Sequence, residues 1–198
     1  MGRRESPAKH YEGGLDADMA LTARLQRGET LGDRVMKVDH AGEHGAICIY
    51  RAQLWFARWR APDMVGELSG FLAHELRHRA LFGAELGRRG RRRCRSYHLC
   101  GLGGFALGAV TGLLGRRAIA ATTVAIETVV LRHMHEQVAE LSATDPAAAA
   151  TLRDVIADEQ EHHDISDRRL TPPGLWPKLI NPVVAGSTEA VIWLGMRL

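Results

Sequence analysis

Glutamate and histidine recur along this 198-residue chain in a pattern suited to gripping metal ions. Glu43 and Glu75 stand 32 residues apart, and Glu127 and Glu159 repeat that interval. Each second glutamate opens a Glu-x-x-His, as Glu75-Leu76-Arg77-His78 and Glu159-Gln160-Glu161-His162. A pair of metals held among four helices needs this set: one Glu from each of two helices and a Glu-x-x-His from each of the other two. Carboxylates mixed with imidazole suit Fe(II) and leave positions open for dioxygen. Within each Glu-x-x-His, the i, i+3 spacing puts both side chains on one helix face.

Other readings compete for the same residues. A lone Glu-x-x-His is common on a solvated helix face. A Glu set among apolar residues, as Glu127 is in TTVAIETVV, is harder to place there, because an ionised carboxylate is rarely buried without a partner. His74-Glu75-Leu76-Arg77-His78 matches the zinc-protease helix H-E-x-x-H, and His40-Ala41-Gly42-Glu43-His44 matches its inverted form. The extended protease pattern needs Gly at 81 and His at 84, where the chain has Leu81 and Ala84. The protease reading also leaves Glu127, Glu159 and His162 without a task. The di-metal reading uses all six residues and treats His40 and His74 as incidental. His10, His98, His135 and His163 are assigned to the surface or to the surroundings of the site.

Four helices must position these ligands. At about 1.5 Å rise per residue, 32 residues allow a chain to leave one Glu, climb roughly four turns, reverse and return to the same height. Apolar residues at helical spacing predict helices over about 31–59, from Pro62 to about Leu86, about 116–141 and about 145–170. Asp145-Pro146 supplies an N-cap and first-turn proline, and Thr171-Pro172-Pro173-Gly174 is a breaker. No alternating strand pattern appears, so the expected fold is all-α: a ferritin-like four-helix bundle with a pseudo-two-fold axis between its halves. Residues 1–28 read as a polar, loosely docked extension, and 29–198 as a single domain.

Composition agrees. The chain is 45 % hydrophobic with a formal charge of +3, enough apolar content to close one core. Three widely spaced cysteines, Cys48, Cys94 and Cys100, argue against a disulfide framework and for a reducing compartment. No apolar secretory core is visible near the N-terminus.

The segments VDHAGEHGAICIYRAQL (38–54), GGFALGAVTGLLG (103–115), TVAIE (123–127) and DEQEHHDI (158–165) resemble, in this order, the demethoxyubiquinone hydroxylase family. These are the Coq7-type di-iron monooxygenases of ubiquinone biosynthesis. The resemblance runs from about Arg34 to the C-terminus. It implies two iron ions per chain, with Glu43 and His78 on one, Glu127 and His162 on the other, and Glu75 and Glu159 bridging. It places His133 near the site. It also implies O₂-dependent hydroxylation of a polyprenyl 3-methyl-6-methoxy-benzoquinol at its unsubstituted ring carbon, with electrons from a separate donor. The chain departs from the family pattern at His44, Thr128 and Met134, and in an arginine-rich loop lacking its usual proline. Two alternatives stand beside this one: a ferritin-like iron-binding protein without hydroxylase activity, and a zinc metalloprotease acting through His74, Glu75 and His78.

A polyprenyl substrate lives in a bilayer, and two further segments suit one. Residues 99–114 and 178–198 are apolar; the first is a run of 16, below the ~18–20 needed to span, and the second contains Glu189. Both are expected to associate with the membrane without crossing it, together flanking an apolar channel. Trp176 and Trp193 suit the headgroup interface. Six arginines, Arg88, Arg89, Arg91, Arg92, Arg93 and Arg95, would each add ~1 kcal/mol of attraction to an anionic leaflet. The expected location is peripheral, on the cytoplasmic face of a membrane. Further partners considered are a second copy of the chain and a lipid-binding accessory protein; nucleic acid is not expected, since no recognition motif appears.

Overall fold

The computed structural model describes residues 22–171 and 174–198. Among them are six α-helices, one short 3₁₀ turn and no strand: α1 (Leu31–Arg60), the 3₁₀ turn (Pro62–Met64), α2 (Val65–Arg88), α3 (Tyr97–Leu114), α4 (Arg116–Thr144), α5 (Pro146–Arg169) and α6 (Leu175–Arg197). The predicted helices are all present. The last begins earlier than expected, at Leu175, and α4 runs on to Thr144.

Local chemistry sets the boundaries. Thr30 and Asp33 form a capping box at the start of α1: Thr30 Oγ1 accepts from Asp33 N at 3.1 Å, and Asp33 Oδ2 accepts from Thr30 N at 3.0 Å. Asp145 caps α5 by accepting from Ala148 N at 3.2 Å, with Pro146 in the first turn, where a missing N–H costs nothing. Gly115 has φ +93° and lets α3 give way at once to α4, a backbone shape few other residues adopt.

α1 packs on α2, and α4 on α5, as two antiparallel hairpins that face one another to make the four-helix bundle. α3 connects the hairpins and lies along α1, while α6 lies along α4. The α1–α3 approach is close because α3 turns a glycine face inward. A Cβ on Gly104 would collide with the Gly45 carbonyl, and one on Gly108 with that of Ile49. Gln53 then reaches across and donates to Thr111 Oγ1 at 3.0 Å. The other face of α3 is bulky and exposed: Leu102, Phe105, Val110 and Leu113 are all more than half exposed.

Two apolar clusters fill the bundle. One gathers Met36, Phe82, Leu141, Leu152 and Met196; the other gathers Tyr50, Met64, Phe71, Ile119 and Leu170. On each of the four bundle helices the candidate ligands fall between the two clusters, so polar residues occupy the middle and apolar ones close both ends.

Two expectations change. Residues 1–21 of the proposed loose extension lie outside the described residues, but 22–28 are tied down: Arg24 N donates to Met196 O at 3.0 Å, and Arg34 Nη2 to Arg24 O at 3.1 Å. Four of the six arginines expected to face a leaflet have partners within the chain, Arg93 among them, 2.9 Å from His98 Nε2 and over the Tyr97 ring. Arg89 pairs with Asp145 at 2.6 Å and Glu85 at 2.6 Å, Arg91 with Asp33 at 2.7 Å, and Arg88 with Glu85. Asp33, Glu85 and Asp145 sit where three helix ends meet, so the loop's cations neutralise them.

Candidate metal centre

Glu43 (α1), Glu75 and His78 (α2), Glu127 (α4), and Glu159 and His162 (α5) come together midway along the bundle, each no more than 6 % exposed. Two overlapping groups result. Glu43, Glu75, His78 and Glu159 bring one ligand atom each to within 4.8 Å of one another, and so do Glu75, Glu127, Glu159 and His162. Glu75 and Glu159 belong to both. His78 Nδ1 lies 2.9 Å from Glu159 Oε1 and 3.8 Å from Glu43 Oε2; His162 Nδ1 lies 3.3 Å from both Glu75 and Glu159.

Four buried carboxylates at this spacing repel one another. Burial, then the charges of Glu75 and Glu159, push the Glu43 carboxyl well above the ordinary range; burial, then Glu159 and Glu75, do the same to Glu127. Glu159 goes the other way. Burial raises it, but the imidazoles of His162 and His78 outweigh burial and hold it at about 2. Burial lowers His162, yet Glu159 and Glu75 together lift it to about 9. His78 Nδ1, His162 Nδ1 and Glu75 Oε1 lie close to neighbouring side chains but lack hydrogen-bond geometry to any of them. Buried lone pairs on mixed N/O donors, turned to one point, fit divalent cations, which would cancel the carboxylate repulsion.

The surroundings hold residues that spacing alone did not identify. The outer nitrogen of His78, Nε2, is 2.8 Å from Asp158 Oδ2. That of His162 is 3.1 Å from His74 Nδ1, and the two rings stack with centroids 5.2 Å apart. His74 is therefore neither an inner donor of the kind H-E-x-x-H requires nor incidental: it backs His162. The signal lay in the same repeat, since positions 74 and 158 each immediately precede the Glu of a Glu-x-x-His. His74, Asp158 and Glu161 also make a more exposed group, but the Arg77 guanidinium contacts Asp158 and puts a cation there already. Tyr50 Oη points to Glu127 Oε1 at 3.5 Å. His40 and His44 turn away from the centre and stack on Tyr97, with centroids 5.1 and 4.1 Å from its ring. His135 and His98 are exposed, and Thr128 spends its hydroxyl on Val124 O at 2.7 Å.

A cavity of about 390 Å³ opens beside the centre. Glu43, Glu75, Glu127 and Glu159 form one wall. Leu99, Gly103 and Leu107 of α3 and Val191 and Ile192 of α6 form the far side, with Met134 between. His133 also lines it and bonds through Nε2 to Glu189 Oε2 at 2.8 Å. The two apolar segments singled out in the sequence thus flank one cavity.

Comparison with known proteins identifies the family. The family model described as ubiquinone biosynthesis protein COQ7 matches residues 30–195. A Rhodospirillum rubrum protein named 3-demethoxyubiquinol 3-hydroxylase is 37 % identical over 169 residues, covering 84 % of this chain and 78 % of that protein. The Saccharomyces cerevisiae mitochondrial 5-demethoxyubiquinone hydroxylase is 36 % identical over 181 residues, covering 84 % and 78 %. The human mitochondrial NADPH-dependent 3-demethoxyubiquinone 3-hydroxylase is 31 % identical over 173 residues, covering 84 % and 77 %. On both grounds, the chain belongs to the COQ7 family of ubiquinone biosynthesis proteins.

Proposed function

We propose that this protein hydroxylates the ring of a polyprenyl demethoxyubiquinol, using dioxygen and an external electron donor, at a di-iron centre within residues 29–198. The observation that carries the reading is the buried four-glutamate, two-histidine centre whose glutamates line an apolar cavity. Glu43, Glu75, His78, Glu127, Glu159 and His162 would hold the two irons. When bound, those irons supply the electrons that activate dioxygen.

The chain's own residues do the rest. Asp158 and His74 orient His78 and His162 from behind, fixing which ring nitrogen carries a hydrogen and leaving Nδ1 free to face inward. Leu107, Met134, Val191 and Ile192 keep bulk water from the ring and set its distance from the centre. The cavity volume suits a substituted ring and the first part of its tail, leaving the remainder to pass between α3 and α6.

The tail implies a membrane. α3 and α6 are each apolar and long enough, by length and composition alone, to cross one. Both instead lie along the bundle, and α6 carries Glu189 paired to Arg132 and His133. Their outer faces present Leu102, Phe105, Leu175, Leu179 and Val183, and Trp55 and Trp59 at the end of α1 are also exposed. Apolar surface of this kind favours removal from water by about 25 cal/mol per Å². This supports a monotopic attachment to a membrane, with substrate entering between α3 and α6; the cytoplasmic face is part of the proposal. Trp193 is exposed, as an interfacial role needs, whereas Trp176 packs against the second core cluster.

The test is complementation of a strain lacking the hydroxylase, with quinone profiling and metal analysis of the purified protein. Restored ubiquinone and two irons per chain are expected. Bound iron without ring turnover points to iron binding alone, and one zinc per chain overturns the reading.

A further inference from the structure

The cavity is apolar, yet its lining includes buried polar atoms outside the metal-facing set that no protein group satisfies: His133 Nδ1, Gln137 Oε1 and Asp39 Oδ2. His133 and Gln137 are 2 % and 1 % exposed and lie one turn apart on α4. A polar atom left this way costs about 1–3 kcal/mol, so the missing partner belongs to whatever fills the cavity.

The three atoms differ in what they can accept or offer. A carboxamide can turn either end to the cavity, and a carboxyl can present an oxygen or an O–H. Burial pushes Asp39 up to about 8, so both of its forms are accessible near neutral pH. His133 has less freedom. Its Nε2 lies 2.8 Å from Glu189 Oε2, and Glu189 is held in turn by Arg132. A carboxylate only accepts, so Nε2 carries a hydrogen and Nδ1 is the ring nitrogen left open to the cavity. No protein group lies in hydrogen-bonding position to Nδ1, so its partner must come from the molecule that fills the cavity.

We propose that His133, held in this tautomer by Glu189 across the α4–α6 contact, selects the reduced, hydroxyl-bearing form of the ring over its quinone form. A ring hydroxyl donates to Nδ1; a quinone carbonyl offers only lone pairs and leaves it unsatisfied. Gln137 and Asp39 contact the remaining ring oxygens without discriminating between the forms. The inference rests on the hydroxylase reading and adds to it the pair of residues, His133 and Glu189, that recognises the reduced ring. Relatives are named for both forms, ubiquinol in the Rhodospirillum rubrum protein and ubiquinone in the human one.

The experiment is anaerobic calorimetry on protein loaded with cobalt(II), which keeps the ring from being oxidised or reduced. The ligands are a short-tailed methoxy-hydroquinone and the corresponding benzoquinone. Wild type is expected to bind the hydroquinone about tenfold more tightly, the effect of one satisfied hydrogen bond. His133→Phe should bring the ratio near one with the cobalt spectrum unchanged. Glu189→Met, which frees the tautomer, should also lower it, and Glu189→Gln, which retains an acceptor, should preserve it. If His133→Phe fails to fold, the two Glu189 variants carry the test. Equal binding of both forms by wild type, or a preference that survives Glu189→Met, overturns the proposal while leaving the hydroxylase reading in place. If neither ring binds, that reading falls and takes the proposal with it.

Discussion

His78 and His162 occupy equivalent places in the two hairpins, but their outer nitrogens meet different partners. His78 has the carboxylate of Asp158 at 2.8 Å, whereas His162 has the imidazole of His74 at 3.1 Å. The difference extends further. Positions 74 and 158 match under the same 84-residue offset that relates 43 to 127, 75 to 159 and 78 to 162. Under that offset Tyr50, which reaches Glu127, corresponds to Met134, a wall of the cavity. The repeat is kept where side chains converge on the centre and lost one layer out. A carboxylate behind an imidazole makes it a stronger donor than another imidazole does, so two cations held here would be inequivalent.

Several substitutions would break or sharpen that comparison. The largest effect is expected from the glutamates common to both groups. Glu159→Ala should empty both metal positions, whereas Glu43→Ala and Glu127→Ala should each empty one; iron per chain by mass spectrometry reads the difference. One iron retained in Glu159→Ala would show that the two groups do not share it. His162→Ala belongs beside these and should also lose metal and activity.

Next comes the outer layer. Asp158→Asn should weaken metal binding by ~10- to 100-fold, the usual range for a residue behind a histidine ligand. His74→Ala should cost less than about tenfold, because a neutral imidazole is the poorer acceptor. Stepwise cobalt(II) titration of both variants measures this, and equal losses would mean that the halves are electronically alike.

The apolar helices can be compared similarly, one against each hairpin. Leu102→Asp and Leu179→Asp place charge on the outer faces of α3 and α6. Both should shift protein from the membrane to the soluble fraction in vesicle flotation, with iron content unchanged. Leu107→Asp and Val191→Asp lie on the cavity side and should reduce turnover even of a short-tailed ring. Identical behaviour of the outward and cavity-facing pairs would remove the distinction between attachment and substrate passage.

The smallest effect is on pH dependence. In chelator-treated protein, His162 is raised to about 9 from 6.5. A raised pKa contributes stability that is complete below pH 6.5 and lost as pH rises through 9. Glu43 and Glu127, also raised, act in the same direction. Thermal unfolding of the metal-free protein should therefore occur at lower temperature as pH climbs from 6.5 to 9. Metal affinity should rise over the same interval, because these groups must lose protons to bind a cation. A metal-free protein that grows more stable across that interval would contradict this account of the centre.

How much was legible beforehand differs residue by residue. Glu43, Glu75, His78, Glu127, Glu159 and His162 could be paired from spacing because rise per residue converts sequence distance into height along a helix. The capping signal at Asp145-Pro146 was equally local. The pairing of Glu189 with His133 was not legible: 56 residues and two helix connections separate them, and no periodicity relates α6 to α4. The arginine loop read as a free basic patch because its partners, Asp33 and Asp145, come from distant helix ends.

The chain's own order of residues determined the helices, the height of each ligand and the inward glycine face of α3, since each depends on repeats within a few turns. Tertiary structure decided which nitrogen of each histidine faces inward, what stands behind it, and which polar atoms are left open to the cavity. Those outcomes depend on distance and angle between side chains on different helices, and helical periodicity constrains only the face each one occupies on its own.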